Sequence, residues 1–375
     1  MKFLHLADLH LGKRVNGFDM LEDQRFILEQ ILTLCEKHGV EAVVIAGDIY
    51  DTPVPPAAAC TLLDWFLTQL AARRIAVLAV SGNHDSAERL DYAAGLLANQ
   101  NVYIAGQFRG APRQIVLNDR FGPVEFTLLP FVRAATVRHY MPEADLPDYD
   151  SAVAAALSAC APSAERRVLV AHQMVVAGLC PPQLSGSETA PLTVGTVDSV
   201  NAAHFAGFSY TALGHIHRAQ RVGSDTVRYA GTPLCYHLDE CGMEKSATLV
   251  RLGRRGVDGI DTLPLHPRRA MRHIVGPLAK LVEHPADTGD YIWATLTDPT
   301  PQPDAMAMLR TAYPNAMRLD YRPQGAEILP ADTAQSVRGK PFASLFEDFF
   351  TQMNGRPLTV EEARAVKALR EEASK

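Results

Sequence analysis

The chain has 375 residues, 47% hydrophobic and 21% charged, which suits one large folded domain with a smaller companion and excludes a disordered, collagen-like or rod-forming chain. Its 36 Lys and Arg against 42 Asp and Glu leave a net charge of −6, so the chain as a whole offers no attraction to nucleic acid or to an anionic membrane surface. No apolar run approaches the roughly 18 residues of a membrane span, MKFLHLADLH is interrupted too soon by His5 and Asp8 for a secretory leader, and the six cysteines lack CxxC spacing. A cytoplasmic protein with reduced thiols and no membrane partner is expected.

In chain order, short apolar strands are predicted at Phe3 to Ala7, Ala42 to Ala46, Val77 to Val80, Phe126 to Leu129, Val168 to Ala171 and Tyr210 to Leu213. Helical spacing separates some of them: Arg25 to His38 carries Phe26, Ile27, Ile31, Leu34 and Cys35 on one face, and Pro56 to Ala72 is similar. This alternation predicts a layered α/β domain over residues 1–270. The segment PRRAMRH after His266 is a basic connector, in which Arg268, Arg269 and Arg272 serve solubility or contact a polyanion. Strands at Tyr291 to Leu296 and Ala316 to Tyr321, with a helix from Asp304 to Ala312 between them, predict a small α/β domain over 271–330.

In the remaining tail, 331–375, Phe342, Leu345, Phe346, Phe349, Phe350 and Met353 fall on one apolar helix face that Gly355 and Pro357 end. Thr359 and Glu362 have capping-box spacing for a last, charged helix. An apolar face beyond the last domain-sized block is read as a docking surface for a partner.

Polar residues follow the predicted strands in a fixed order: Asp8-Leu9-His10, Gly47-Asp48, Gly82-Asn83-His84-Asp85, Ala171-His172 and Gly214-His215-Ile216-His217. Each pair or triplet is commonplace alone. Their succession after strands of one α/β sheet edge, where such folds place their sites, is not. The two Asp, one Asn and four His form an oxygen and nitrogen donor set without thiolate, suited to Mn, Fe or Zn rather than Mg or Ca.

These blocks resemble those of the calcineurin-like metallophosphoesterase superfamily, over most of residues 1–235. The spellings LADLHLGKR, GDIYD, SGNHDS, VAHQMVVAG, ALGHIHR and RYAGTPL are similar to those of its bacterial DNA nuclease members, which act with an ATPase bearing long coiled-coil arms. The resemblance implies a four-layer α-β-β-α sandwich with a small α/β capping domain that touches DNA and C-terminal helices that bind the ATPase. It implies two divalent ions, usually Mn2+, with Asp8, His10, Asp48 and His217 on one and Asn83, His172 and His215 on the other, bridged by Asp48. It further implies 3′ to 5′ exonuclease action on double-stranded ends, endonuclease cleavage of single strands or hairpins, a role in DNA repair, recombination and replication, and a homodimer within a heterotetramer.

His84, beside Asn83 but not needed as a ligand, is the candidate to steady transition-state charge or to protonate the leaving oxygen, with Asp85 orienting it. Asp51 is read as capping the segment after GDIYD, with a hydrogen bond near the site as the alternative; archaeal and eukaryotic relatives often have histidine there. Gly231 to Pro233 is read as a turn near the substrate phosphate, or as a plain loop. Lys13, Arg14 and Arg218 are candidate DNA contacts, and Phe342, Leu345, Phe346, Phe349 and Phe350 candidate partner contacts. Thr52 and Pro53 after Asp51 depart from the D-R-G turn of the superfamily's protein phosphatases, and the filled ligand positions oppose a metal-free scaffold.

Overall fold

Runs such as AVVIA and AVLAV, apolar at every position, cannot lie on a half-solvated sheet; they belong in parallel strands covered on both faces. The computed structural model, which describes residues 1–178, 180–185, 199–322 and 342–373, places them so. The chain divides into two compact units, Met1–Arg272 and His273–Lys375.

In the first unit, β1 (Lys2–Leu6), β2 (Ala42–Ala46), β3 (Ala76–Val80) and β4 (Val102–Ala105) run parallel, with α1 (Leu21–His38) and α2 (Ala57–Ala72) in two of the crossovers. A second sheet holds β5 (Arg113–Asp119), β6 (Gly122–Leu129), β7 (Arg166–His172), β8 (Tyr210–Gly214), β9 (Gln220–Val222) and β10 (Ser224–Tyr229), and α3 (Tyr149–Ser158) lies in the connection between β6 and β7. The chain then returns to the first sheet through β11 (Lys245–Leu252) and β12 (Val257–Leu265), giving orders β12-β11-β1-β2-β3-β4 and β9-β10-β8-β7-β6-β5.

Alternate residues explain the layering. Phe3, Val44 and Leu78 of the first sheet share one buried cluster with Phe126, Val170 and Tyr210 of the second, so the sheets pack face to face. The opposite face of the second sheet, with Leu169 and Leu213, packs on Ala152, Val153 and Ala156 of α3. In α1 and α2, Ile27, Ile31, Leu62 and Phe66 are buried. The result is the α-β-β-α sandwich expected. Arg166 grips Asp119 through two bonds of 2.8 and 2.7 Å, and its guanidinium holds that carboxyl well below the usual range.

Each strand foreseen in the sequence overlaps an observed one, with Phe3 to Ala7 running one residue past the end of β1. The strands of these two sheets that were not foreseen, β4, β5, β9, β10, β11 and β12, are short or polar: β11 reads KSATLVRL, and it buries Lys245, Ser246 and Thr248 in an antiparallel position beside β1. The basic connector is not merely soluble, since Arg269 meets the buried carboxylate of Asp23 at 3.0 Å and Glu22 at 2.7 Å.

The second unit carries a three-stranded sheet of β13 (Met271–Gly276), β14 (Tyr291–Leu296) and β15 (Ala316–Tyr321), with α4 (Leu278–Glu283) and α5 (Ala305–Ala312). Leu278, Ile292, Leu296, Leu309 and Ala316 form its own core. Helices α6 (Phe342–Asn354) and α7 (Val360–Ala373) follow. The boundary expected at 330/331 lies outside the described residues, as do the side chains of Phe342 and Met353. Leu345, Phe346 and Phe350 are half-buried and Phe349 is 57% exposed. Thr359 and Glu362 exchange bonds of 2.8 and 3.3 Å, completing the capping box that opens α7.

Candidate metal centre

Parallel strands place their C-terminal ends on one edge of a sheet, and here five such ends supply the chemistry. Asp8 and His10 follow β1, Asp48 follows β2, Asn83 and His84 follow β3, His172 ends β7, and His215 and His217 follow β8. The backbone is bent hard to aim them: Asp8, His10, Asp48 and His215 all have positive φ, between 45° and 95°, where non-glycine residues are strained. Two glycines make room. A Cβ on Gly47, whose φ is 86°, would strike the His172 ring, and one on Gly214 would strike the Ala46 carbonyl.

The seven side chains expected to act together do meet. His10 Nε2 and His217 Nε2 stand 3.2 Å apart. Asp48 Oδ2 lies 3.7 Å from His10 Nε2 on one side and 3.3 Å from His172 Nε2 on the other. Asn83 Oδ1 is 3.0 Å from both His172 Nε2 and His215 Nδ1. Asp8 accepts from the His215 amide at 3.0 Å, and its Oδ1 is 3.9 Å from His172 Nδ1. Two groups, Asp8 with His10 and His217, and Asp8 with Asp48 and His172, each gather their ligand atoms within 4.8 Å.

Burial and close neighbours set the charge states of these groups. Burial drives His10 down to about 4 and His215 to about 3, so these rings stay neutral and present lone pairs. Burial also pushes Asp8 up to about 7, against the pull of His172 and His217. Burial opposes ionisation of Asp48, but His172, His10 and His84 override it and hold its carboxyl far below the usual range. Two imidazole nitrogens facing each other at 3.2 Å match neighbouring ligands of one ion, which at metal–nitrogen distances of about 2.1 Å lie about 3 Å apart. The residues therefore fit divalent metal ions.

Neighbouring residues hold the ligand loops together, and one expectation about them needs correction. Asp85 does not orient His84: its carboxylate accepts from the amides of Ile49, Tyr50 and Gly82 at 3.1, 2.9 and 2.9 Å, tying two ligand loops together. His84 Nδ1 instead sits 2.9 Å from the Asp51 carbonyl. Asp51 follows the alternative reading, a hydrogen bond near the site: its side chain bonds Lys13 Nζ at 2.6 Å and lies 3.3 Å from His10 Nδ1. Lys13 is thus paired with Asp51 at the centre, whereas Arg14 is 64% exposed and Arg218 is also exposed. The Gly231 to Pro233 turn packs on the last metal loop, with the Thr232 amide 3.1 Å from the His217 carbonyl.

A third group, His10, Asp51 and His84, is also compact, but the Lys13 ammonium 2.6 Å from Asp51 opposes a cation there. Other supporting residues carried no sequence signal. Tyr236 Oη donates to the Leu9 carbonyl at 2.6 Å and Gln24 Nε2 to the His10 carbonyl at 2.7 Å, holding the first loop. Glu240, fully buried, stands 3.7 Å from His217 Nδ1. A tyrosine in CYHLDECG, or a glutamine in α1, points to no loop some 14 to 227 residues away.

Residues 1–174 match the family model described as calcineurin-like phosphoesterase. Residues 267–354 match the SbcD-type model described as type 5 capsule protein repressor C-terminal domain. Among solved structures, the chain is similar to a dimetal phosphatase from Danio rerio, at 15% identity and a TM-score of 0.39, covering 71% of this chain and 99% of that one. A protein of Thermus thermophilus is similar at 14% identity and a TM-score of 0.40, with the same coverages of 71% and 99%. No helix among the described residues is long and apolar enough to cross a membrane.

Proposed function

We propose that this chain, a metal-dependent calcineurin-like phosphoesterase with a C-terminal domain of SbcD type, is a nuclease subunit that degrades DNA from double-stranded ends in the 3′ to 5′ direction and cuts single strands or hairpins. It does so with an SbcC-type ATPase, in DNA repair, recombination and replication. The observation that carries this reading is the joining, on one chain, of the seven-residue centre to a C-terminal domain of SbcD type. The resident ions are two Mn2+, one on Asp8, His10, Asp48 and His217 and the other on Asp48, Asn83, His172 and His215.

A bound ion pair supplies Lewis-acid polarisation of phosphoryl oxygens and brings the pKa of water from about 15.7 to about 7. The protein's own groups do the rest. The Asp51 carbonyl accepts from His84 Nδ1, so any proton His84 gives to a leaving oxygen departs from Nε2. Arg14 and Arg218 reach DNA phosphates, and the partner supplies further contacts, which accounts for a net charge of −6 on a DNA enzyme.

The test offers end-labelled duplex DNA to the purified chain, alone and with its ATPase partner, in Mn2+ and in chelator. Shortening of the label in Mn2+ only is expected; no metal-dependent degradation in either form overturns the nuclease reading. Leu345, Phe346, Phe349 and Phe350 of α6, together with Phe342, are the proposed partner face. Deleting residues 340–375 is expected to abolish co-purification with the ATPase while sparing hydrolysis of a small phosphodiester within about 3-fold, since every metal ligand lies in the first unit. Loss of both would assign the tail to folding instead.

A further inference from the structure

The histidines of the centre differ in what stands behind them. His172 Nδ1 bonds a neutral acceptor, the Ala46 carbonyl, at 2.8 Å. Behind His10 stands the Asp51 carboxylate, with Oδ1 3.3 Å from a buried Nδ1 that makes no well-aligned hydrogen bond. Behind His217 stands Glu240, with Oε1 3.7 Å from Nδ1. Each of these two carboxylates is gripped by its own lysine: Lys13 Nζ lies 2.6 Å from Asp51, and Lys245 Nζ lies 2.5 Å from Glu240. Lys245 is itself fixed by Thr232 Oγ1 at 2.7 Å and the His217 carbonyl at 3.3 Å. Both histidines backed by acid face the same point through Nε2.

We propose that Asp51–Lys13 and Glu240–Lys245 are positioning pairs that aim His10 and His217 and strengthen them as donors, so that the ion position they share binds its ion more tightly than the position on Asn83, His172 and His215. This rests on the two-ion reading above. An imidazole that commits Nε2 to a cation carries its proton on Nδ1, the atom facing the acid. An anionic acceptor there makes the ring more basic and fixes its plane, and a carbonyl does so less. The lysines hold each carboxylate in place.

Stability gives a weaker reason for the inner pair. Glu240 is 0% and Lys245 7% exposed, and a buried ion pair generally adds little net stability over apolar residues of similar volume. Its position directly behind a ligand gives it a use. Asp51, 20% exposed at its side chain, is not buried enough to need Lys13 for solvation alone, yet the two are bonded at the centre.

The full chain, stripped of metal, would be titrated with Mn2+ by calorimetry and with Co2+ by visible absorption. The unmodified chain is expected to take up two ions with affinities about 10-fold or more apart. Glu240→Gln and Asp51→Asn are each expected to weaken the tighter ion by about 10 to 100-fold, to shift its Co2+ absorption band, and to change the weaker ion by less than about 3-fold. Because Glu240→Gln leaves Lys245 unpaired in the interior, the double variant Glu240→Gln/Lys245→Met, which removes both charges, is to show the same selective loss. Equal weakening of both ions, unchanged affinities, or a third ion lost with Asp51→Asn overturns the proposal. No uptake by the unmodified chain overturns the two-ion reading as well, whereas two ions without DNA cleavage would sink only the nuclease assignment.

Discussion

Asp48→Ala is expected to empty the centre and to reduce hydrolysis by about 10⁴-fold or more. Its carboxylate approaches both histidine sets through Nε2, 3.3 Å from that of His172 and 3.7 Å from that of His10, so its loss takes a proposed ligand from each ion position at once. It also removes the acceptor of the His84 amide, bonded to Asp48 Oδ1 at 2.8 Å, and so loosens the loop that carries Asn83. Hydrolysis of phosphate esters requires an acceleration worth roughly 20 kcal/mol, most of which must come from the ions. The check is metal content by mass spectrometry beside cleavage of a chromogenic phosphodiester. An Asp48→Ala protein holding as much Mn2+ as the unmodified chain would contradict the assignment of Asp48 as the shared ligand.

His84→Ala separates chemistry from metal binding. Its ring lies T-shaped to His10 at 4.9 Å between centroids, and its Nδ1 is tied to the Asp51 carbonyl, so it is held at the rim of the centre. A general acid is worth about 10² to 10⁴-fold, or roughly 3 to 5 kcal/mol, and the variant is expected to lose that much rate while retaining its ions. Substrates with an activated leaving group, which need no proton, should be less affected than DNA. Loss of metal in His84→Ala would make it a ligand instead and would require the seven-residue set to be redrawn.

Much of this centre was legible beforehand because in a parallel α/β sheet the sequence position just after a strand maps onto one edge in space. Asp8, His10, Asp48, Asn83, His172, His215 and His217 each sit within four residues of such an end. Asp51 was legible as a residue with two possible roles, and Asp85 as a polar residue but not in its role. Both lie in turns, where a carboxylate commonly serves its own backbone. Here Asp85 bonds amides 36, 35 and 3 residues away, and Asp51 turns to Lys13, 38 residues distant.

The order and chemistry of the metal-binding blocks, the alternation of apolar strands with amphipathic helices and the apolar face of α6 are properties of local sequence. They determined by themselves that the chain is a layered α/β protein with an oxygen and nitrogen site for divalent ions. Which ring nitrogen faces an acid, and that Glu240 and Lys245 stand behind His217, were decided only by tertiary structure. The reason is that a hydrogen bond is specified by position in space. The partners that set it, such as Ala46 for His172 across 126 residues, leave no mark on the sequence at either end.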